Sequence, residues 1–182
     1  MKSMLNIVDI NDEIIGEKTR EEIHKHGLLH REVHVYFVTP NRELIVQHRA
    51  KNKDTYPDLL DATVGGHVEI SDSYQETALK ETLEETGLKI GMSDLIFVNK
   101  TLKRSKDKAT QKINYSFRTA YLYIYRGDVA DLKIEHGKSQ GFSIWPLDKL
   151  VNLNEDDKNK FIPYILDFAV GQLIKTLENI KL

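Results

Sequence analysis

Two periodicities divide this chain. Short runs rich in β-branched and aromatic residues, bounded by turn-formers, predict strands, and apolar residues recurring every three or four positions predict helices. "VHVYFVT" (33–39) and "ELIVQHR" (43–49) are runs of the first kind, and Pro40, Asn41 and Arg42 between them predict a hairpin. "NIVDINDEIIG" (6–16) predicts a smaller hairpin that turns at Asn11 and Asp12. "ATVGG" (62–66), "LIFVNKTL" (95–102) and "GFSIWPL" (141–147) predict further strands. "INYSFRTAYLYIYR" (113–126) alternates, with Tyr115, Phe117, Tyr121, Tyr123 and Tyr125 on one face. "TREEIHKHG" (19–27) suits a short helix capped by Thr19 and stopped at Gly27. From Lys158 to Ile180, Ile162, Leu166, Ala169, Leu173, Leu177 and Ile180 recur at helical spacing and predict a closing helix over about 158–180. "KNKDTYPDLLD" (51–61) is a polar loop with a turn at Pro57 and Asp58. The pattern is a mixed α/β domain: strands, a central helix, strands again, then the closing helix.

The central helix carries the chemistry. In "VGGHVEISDSYQETALKETLEETGL" (64–88), Ser73 and Glu76 have the form of a capping box and Gly87 marks the stop. At about 100° per residue, Ala78, Leu79, Thr82, Leu83 and Thr86 fall on one side, a predicted packing face. Glu81, Glu84 and Glu85 fall together on the other. Like charges at these spacings destabilise a helix by about 0.2–0.5 kcal/mol per pair, and two of the three sit at the end where negative charge is unfavourable. Such a face needs either solvent or a cation.

Composition narrows the choices. With 182 residues, 40% hydrophobic and 30% charged, the chain reads as a single globular domain, 1–182, without repeats or linkers. The net charge of -2 supplies no global attraction to nucleic-acid polymers or membranes. Cysteine is absent, which excludes disulfides, thiolate catalysis and Cys-type zinc sites. Met1–Val8 is too short an apolar stretch for a signal peptide, and Phe161–Ile174, interrupted by Asp167, is short for a membrane span. A cytoplasmic protein is expected.

Residues 66–88 resemble the Nudix box: a glycine, five residues, an acid, seven residues, then Arg-Glu-apolar-any-Glu-Glu-any-Gly-apolar. Gly66, Glu81, Glu84, Glu85, Gly87 and Leu88 match, whereas Asp72, Lys80 and Thr82 replace a glutamate, the arginine and an apolar residue. Lysine keeps the charge but not arginine's bidentate grip. "IIGEKTREEIHKHGLLHREVHVYFV" followed by "ELIVQHRAKNKDTYPDLLDATVGGHVE" is similar to the Nudix branch related to isopentenyl-diphosphate isomerases, which extends the likeness to about residues 5–147. The resemblance implies the Nudix fold, an α/β/α sandwich around a mixed β-sheet. It also implies hydrolysis of a diphosphate linkage in a nucleoside-diphosphate-type or related small molecule, with Mg²⁺ or Mn²⁺. Such ions prefer oxygen ligands and can neutralise a diphosphate. By match to the motif, Glu84 and Glu85 would be the main ligands, Glu81 a ligand or the general base, and the carbonyl of Gly65 an additional ligand. Asp72 and Lys80 would orient the glutamates.

Arg49, Lys51 and Lys53 lie beside the polar loop, where phosphates are expected, and Tyr56 and His67 are further candidate substrate contacts. Solvated or packed roles remain the alternative for each. If the base is not Glu81, "IEHGKSQGF" (134–142) offers Glu135 and His136. His30 and His67 align with metal-ligating positions of the isomerases, although any of the seven histidines taken alone is expected to be structural. Those isomerases also need a cysteine where this chain has Gly65, and a later-strand glutamate where it reads Asn114, Tyr115, Ser116, so the isomerase reading is rejected. The remaining alternative to a hydrolase is a Nudix-fold ligand-binding or regulatory module without turnover. The closing helix is expected to cover the core or to form a homodimer.

Overall fold

The computed structural model describes residues 3–53 and 55–180, so the two ends of the expected 1–182 domain lie outside the described residues. The chain opens with a hairpin, β1 (Met4–Val8) and β2 (Ile14–Thr19), then α1 (Arg20–His26). Thr19 caps α1 in a capping box with Glu22, and Gly27 ends it in the left-handed conformation at φ 63°. Next come β3 (Leu29–Val38), β4 (Glu43–Arg49), β5 (Leu60–Asp61) and β6 (Val64–His67), then α2 (Tyr74–Thr86). A long hairpin, β7 (Ile96–Lys106) and β8 (Ile113–Ile124), leads to β9 (Ser139–Pro146) and three short helices, α3 (Leu147–Leu150), α4 (Glu155–Lys158) and α5 (Val170–Glu178).

β3 is the hub of the sheet. It pairs antiparallel with β1, β4 and β6, and parallel with β8 along its whole length, which makes the sheet mixed. Alternation gives β3 two characters. Val33, Val35 and Phe37 enter the apolar layer beneath α2. His30, Glu32, His34 and Tyr36 point the other way and are also buried. A second apolar layer on the opposite face holds Val38, Leu44, Leu122 and, from α5, Leu173 and Leu177. Helices therefore flank both faces, the α/β/α arrangement that the resemblance implies.

The apolar periodicity from Lys158 to Ile180 does not make one helix. α4 ends at Lys158, Phe161 bridges to Leu60, and Pro163 follows. Proline supplies no N–H and disfavours helix in the residue before it. The chain restarts with a wide π-helical turn, Ile165–Ala169, before α5. Among the described residues no helix is long and apolar enough to cross a membrane.

Candidate active site

The capping box fixes the start of α2. Ser73 Oγ accepts from the Glu76 N–H at 3.2 Å, and the Glu76 carboxylate accepts from the Ser73 N–H at 2.8 Å. Ala78, Thr82 and Thr86 are buried, as the wheel predicts, but Leu83 is 48% exposed while Glu85 is only 3% exposed. The helix is rotated relative to the predicted face, and one oxygen of Glu85 accepts from Gln47 Nε2 at 3.1 Å and from the Gly65 N–H at 3.2 Å. The absence of a side chain at Gly66 makes room for the Glu81 carboxylate, which a Cβ there would overlap. Burial pushes the Glu85 carboxyl up to about 8, with the neighbouring Glu81 raising it further. Burial likewise pushes Glu81 up to about 7, against the opposing pull of the Lys138 ammonium and with Glu84 and Glu135 adding repulsion. Buried, like-charged carboxyls with so little compensation fit a divalent cation well: they supply oxygen donors and gain by its charge.

These groups line a cavity of about 280 Å³ together with Glu84, Gly65, Gly66 and the polar face of β3. Cross-strand register assembles that face, with Glu32 opposite His67 on β6 and Arg118 on β8. The Glu32 carboxylate accepts from Ser116 Oγ at 2.6 Å, Asn114 Nδ2 at 3.0 Å and Arg118 at 2.9 Å. Although burial opposes ionisation, the Arg118 guanidinium, with the neighbouring His30 and His67, holds Glu32 well below the usual carboxylate range. Arg118 also lies over the Tyr164 ring, 4.4 Å from its centroid. Burial pushes His34 down to about 4.

His24, His30 and His67 meet at the edge of the cavity, each with a ring nitrogen within 4.8 Å of the others. Nδ1 of His24 lies 3.2 Å from the Ile113 carbonyl and Nδ1 of His30 lies 3.0 Å from that of Leu28. A carbonyl only accepts, so each Nδ1 carries a hydrogen, which leaves each Nε2 as the ring's candidate metal donor. Burial lowers both His24 and His67, which favours neutrality. His24 Nε2 faces His67 Nε2 at 3.0 Å, whereas the buried Nε2 of His30 has no hydrogen-bond partner. A Glu32 oxygen lies 3.7 Å from His30 Nε2 and 3.6 Å from His67 Nε2.

The other sequence-selected residues divide. Arg49 and Tyr56 border the cavity, and Lys51 is an exposed turn residue not among its lining. The guanidinium of Arg49 is engaged with the carbonyls of Thr55 (2.7 Å) and Tyr56 (3.1 Å) and with Asp61 (2.9 Å). Lys80 bonds to Glu69 and lies 4.0 Å from Asp72, so its ion pairs are with these acids and not with the box glutamates. Glu135 pairs with Lys138 at 2.7 Å, and His136 does not line the cavity. Sequence reasoning passed over His24, Glu32, Arg20, Arg118 and Lys138. A signal existed for one of them: "LHREVHVYFV" places Glu32 with His30 and His34 on one face of a strand otherwise rich in apolar residues, which marks a polar wall.

Residues 28–165 match the NUDIX domain family model. An uncharacterized Nudix hydrolase of Clostridium acetobutylicum is 25% identical over 178 residues, covering 95% of this chain and 81% of that protein. Matches in Nostoc and Streptomyces coelicolor span only 53% and 46% of those proteins. Among solved structures, a Deinococcus radiodurans protein superposes with a TM-score of 0.69 at 19% identity, over 93% of this chain and 98% of the other. The Nudix domain of Shewanella oneidensis NrtR, crystallised with ADP-ribose, gives a TM-score of 0.59 at 14% identity, over 88% and 99%.

Proposed function

The chain belongs to the Nudix family of hydrolases, and on that premise we propose that it cleaves the diphosphate bridge of a small molecule with Mg²⁺ or Mn²⁺. The observation that carries this reading is the pair of carboxyls, half-buried Glu81 and buried Glu85, raised to about 7 and about 8 beside the glycine pair of β6. Glu81, Glu84, Glu85 and the Gly65 carbonyl would hold the cation. Bound there, the ion would supply charge to neutralise the diphosphate and to acidify an attacking water. Glu81 is the proposed general base, because Glu135 is engaged by Lys138 and His136 lies outside the cavity lining. The half of the substrate beyond the diphosphate is polar: Glu32, His34, Asp61 and Arg118 line the wall it would meet, and an apolar chain would desolvate those groups without replacing their partners.

The test is incubation with ADP-ribose, a nucleotide sugar and a dinucleoside diphosphate, with Mg²⁺ or Mn²⁺, reading released monophosphate. Turnover of at least one, abolished by Glu84→Gln, supports a hydrolase. Tight binding of all three without product supports the non-catalytic module instead.

One observation favours a second cation at His24, His30 and His67. Three imidazoles, each with a ring nitrogen within 4.8 Å of the others and beside the Glu32 carboxylate, suit a borderline transition ion better than Mg²⁺. Zn²⁺ or Co²⁺ should raise the melting temperature of wild type and of Glu84→Gln, but not of His24→Ala combined with His67→Ala. An equal rise in the histidine double variant would remove this site.

A further inference from the structure

The net charge of -2 conceals one strong local excess. Between residues 100 and 112 the chain carries six cations, Lys100, Lys103, Arg104, Lys106, Lys108 and Lys112, against a single acid, Asp107. Asp107 is 4% exposed, and its carboxylate accepts from the Tyr56 N–H at 3.0 Å and the Ala109 N–H at 3.1 Å, so it serves the turn and the loop packed on it. Lys100 is tied to Asp12, and Lys103 lies over the Phe168 ring, 5.9 Å from its centroid. Arg104, Lys106 and Lys108 differ. All three are exposed, and among the described residues none of them makes an ion pair.

The strands present these charges on a ribbon. Among the described residues β7 pairs with β8 alone, and Leu102 to Lys106 are exposed without a break, where a covered strand would alternate. The register sets what lies beside them: Leu102 is opposite Phe117, Arg104 opposite Tyr115 and Lys106 opposite Ile113. Directly opposed residues of antiparallel strands project to the same face. Arg104 and Lys106 therefore share a surface with the half-buried rings of Tyr115 and Phe117, and Lys100 Nζ lies 5.2 Å from the centroid of the second ring. Asn114 and Arg118 of the same strand line the active-site cavity, so by alternation Tyr115 and Phe117 project from the other face.

Lysine on an edge strand is also the ordinary device against strand-to-strand aggregation. That device asks for charge at the edge, and it does not explain aromatic rings on the same face. A second copy of this chain paired along β7 would set like charges against each other. An acidic peptide added to the edge would use the backbone and leave the rings without a role. A single-stranded nucleic acid uses both features, since its phosphates meet the cations while an unpaired base stacks on a ring. We propose that the β7–β8 ribbon is a binding surface for single-stranded RNA or DNA, with Arg104, Lys106 and Lys108 on phosphates and Tyr115 against a base. The surface is separate from the cavity and does not depend on the diphosphate reading.

The experiment is fluorescence anisotropy with labelled oligouridylate and oligothymidylate, over a range of salt and with a chelator present to keep the glutamate site out of the measurement. Wild type should bind at least one probe, and the ratio of the two affinities assigns RNA or DNA. Log affinity should fall against log salt with a slope of about -2, from three phosphates at about 0.7 each on a single strand. Arg104→Ala combined with Lys106→Ala should weaken binding at least tenfold at low salt and bring the slope to about -0.7. Tyr115→Leu should weaken binding at least fivefold with the slope unchanged, because stacking carries no charge, whereas Tyr115→Phe should bind like wild type. Lys149→Ala combined with Lys175→Ala, which removes two exposed cations elsewhere, should also bind like wild type. Melting temperatures near that of wild type show that the variants fold. Absence of binding to both probes at low salt, wild-type affinity in the Arg104 and Lys106 variant, or equal affinity for polyglutamate or for a duplex of the same length overturns the proposal. Unchanged affinity in Tyr115→Leu overturns the stacking role.

Discussion

Replacing Glu85 by glutamine should stabilise the metal-free protein, and only at high pH. Both donors to Glu85, Gln47 Nε2 and the Gly65 N–H, bond to the same oxygen, so the amide oxygen of a glutamine can accept them equally. What the substitution removes is the need to ionise a carboxyl that is 3% exposed. The sign follows from its raised value. The folded protein keeps this proton up to about 8, while an unfolded chain loses it near the ordinary 4.5. Stability is therefore undiminished below about 4.5, falls as pH rises between these two values, and stays low above them. At about 1.4 kcal/mol per pH unit the interval sets a ceiling of about 5 kcal/mol, and sharing of the repulsion with Glu81 reduces it to about 2–3 kcal/mol. For a chain of this size that corresponds to roughly 5–10 °C in melting temperature. The assay is thermal unfolding with a chelator at pH 5 and pH 9. Glu85→Gln should match wild type at pH 5, exceed it at pH 9, and lose most of the wild type's gain on adding Mg²⁺. A difference that is absent, or equal at both pH values, would refute the view of Glu85 as an uncompensated buried acid.

Gly66→Ala places a Cβ inside the Glu81 carboxylate, and displacement of that group should lower kcat about 10²-fold while circular dichroism stays native; activity within tenfold of wild type would show that Glu81 can move without loss. Glu81→Gln should cost about 10²–10⁴-fold in kcat, the usual worth of a positioned base, while Glu135→Gln and His136→Gln cost less than tenfold; the reverse ranking moves the base to the loop. Lys80 is 44% exposed and pairs with Glu69, so Lys80→Ala should change stability by less than about 1 kcal/mol and kcat by less than tenfold. A hundredfold loss of kcat with an intact Mg²⁺ response would restore it as an orienter of the glutamates.

The glutamate helix was legible because its determinants are local. The capping box, the stop at Gly87 and the i,i+3 and i,i+4 crowding of Glu81, Glu84 and Glu85 all lie within one short stretch. Its rotation was not legible, since the burial of Glu85 in place of Leu83 depends on Gln47 and Gly65 from other strands. The same holds for the cavity wall. Glu32 meets Arg118 only because β3 and β8 run parallel in one register, and nothing near either residue encodes that pairing. His24 reaches His67 from a separate helix across 43 residues. Arg49 was legible as a cation beside the loop but not as the residue that secures it, because its two partners on that loop are backbone carbonyls, which carry no sequence signature. Pro163 was visible in the chain, and its break of the apolar periodicity outweighs a spacing that continues on either side.

The central claim, that the Glu81, Glu84 and Glu85 cavity breaks a diphosphate bridge, is tested most directly by phosphorus NMR of ADP-ribose and a nucleotide sugar incubated with the protein and Mg²⁺. The account predicts that the paired diphosphate resonances of at least one compound give way to phosphomonoester signals, and that Glu81→Gln slows this by at least about 10²-fold. Diphosphate resonances that persist for both compounds, or products that form equally fast with Glu81→Gln, would contradict it.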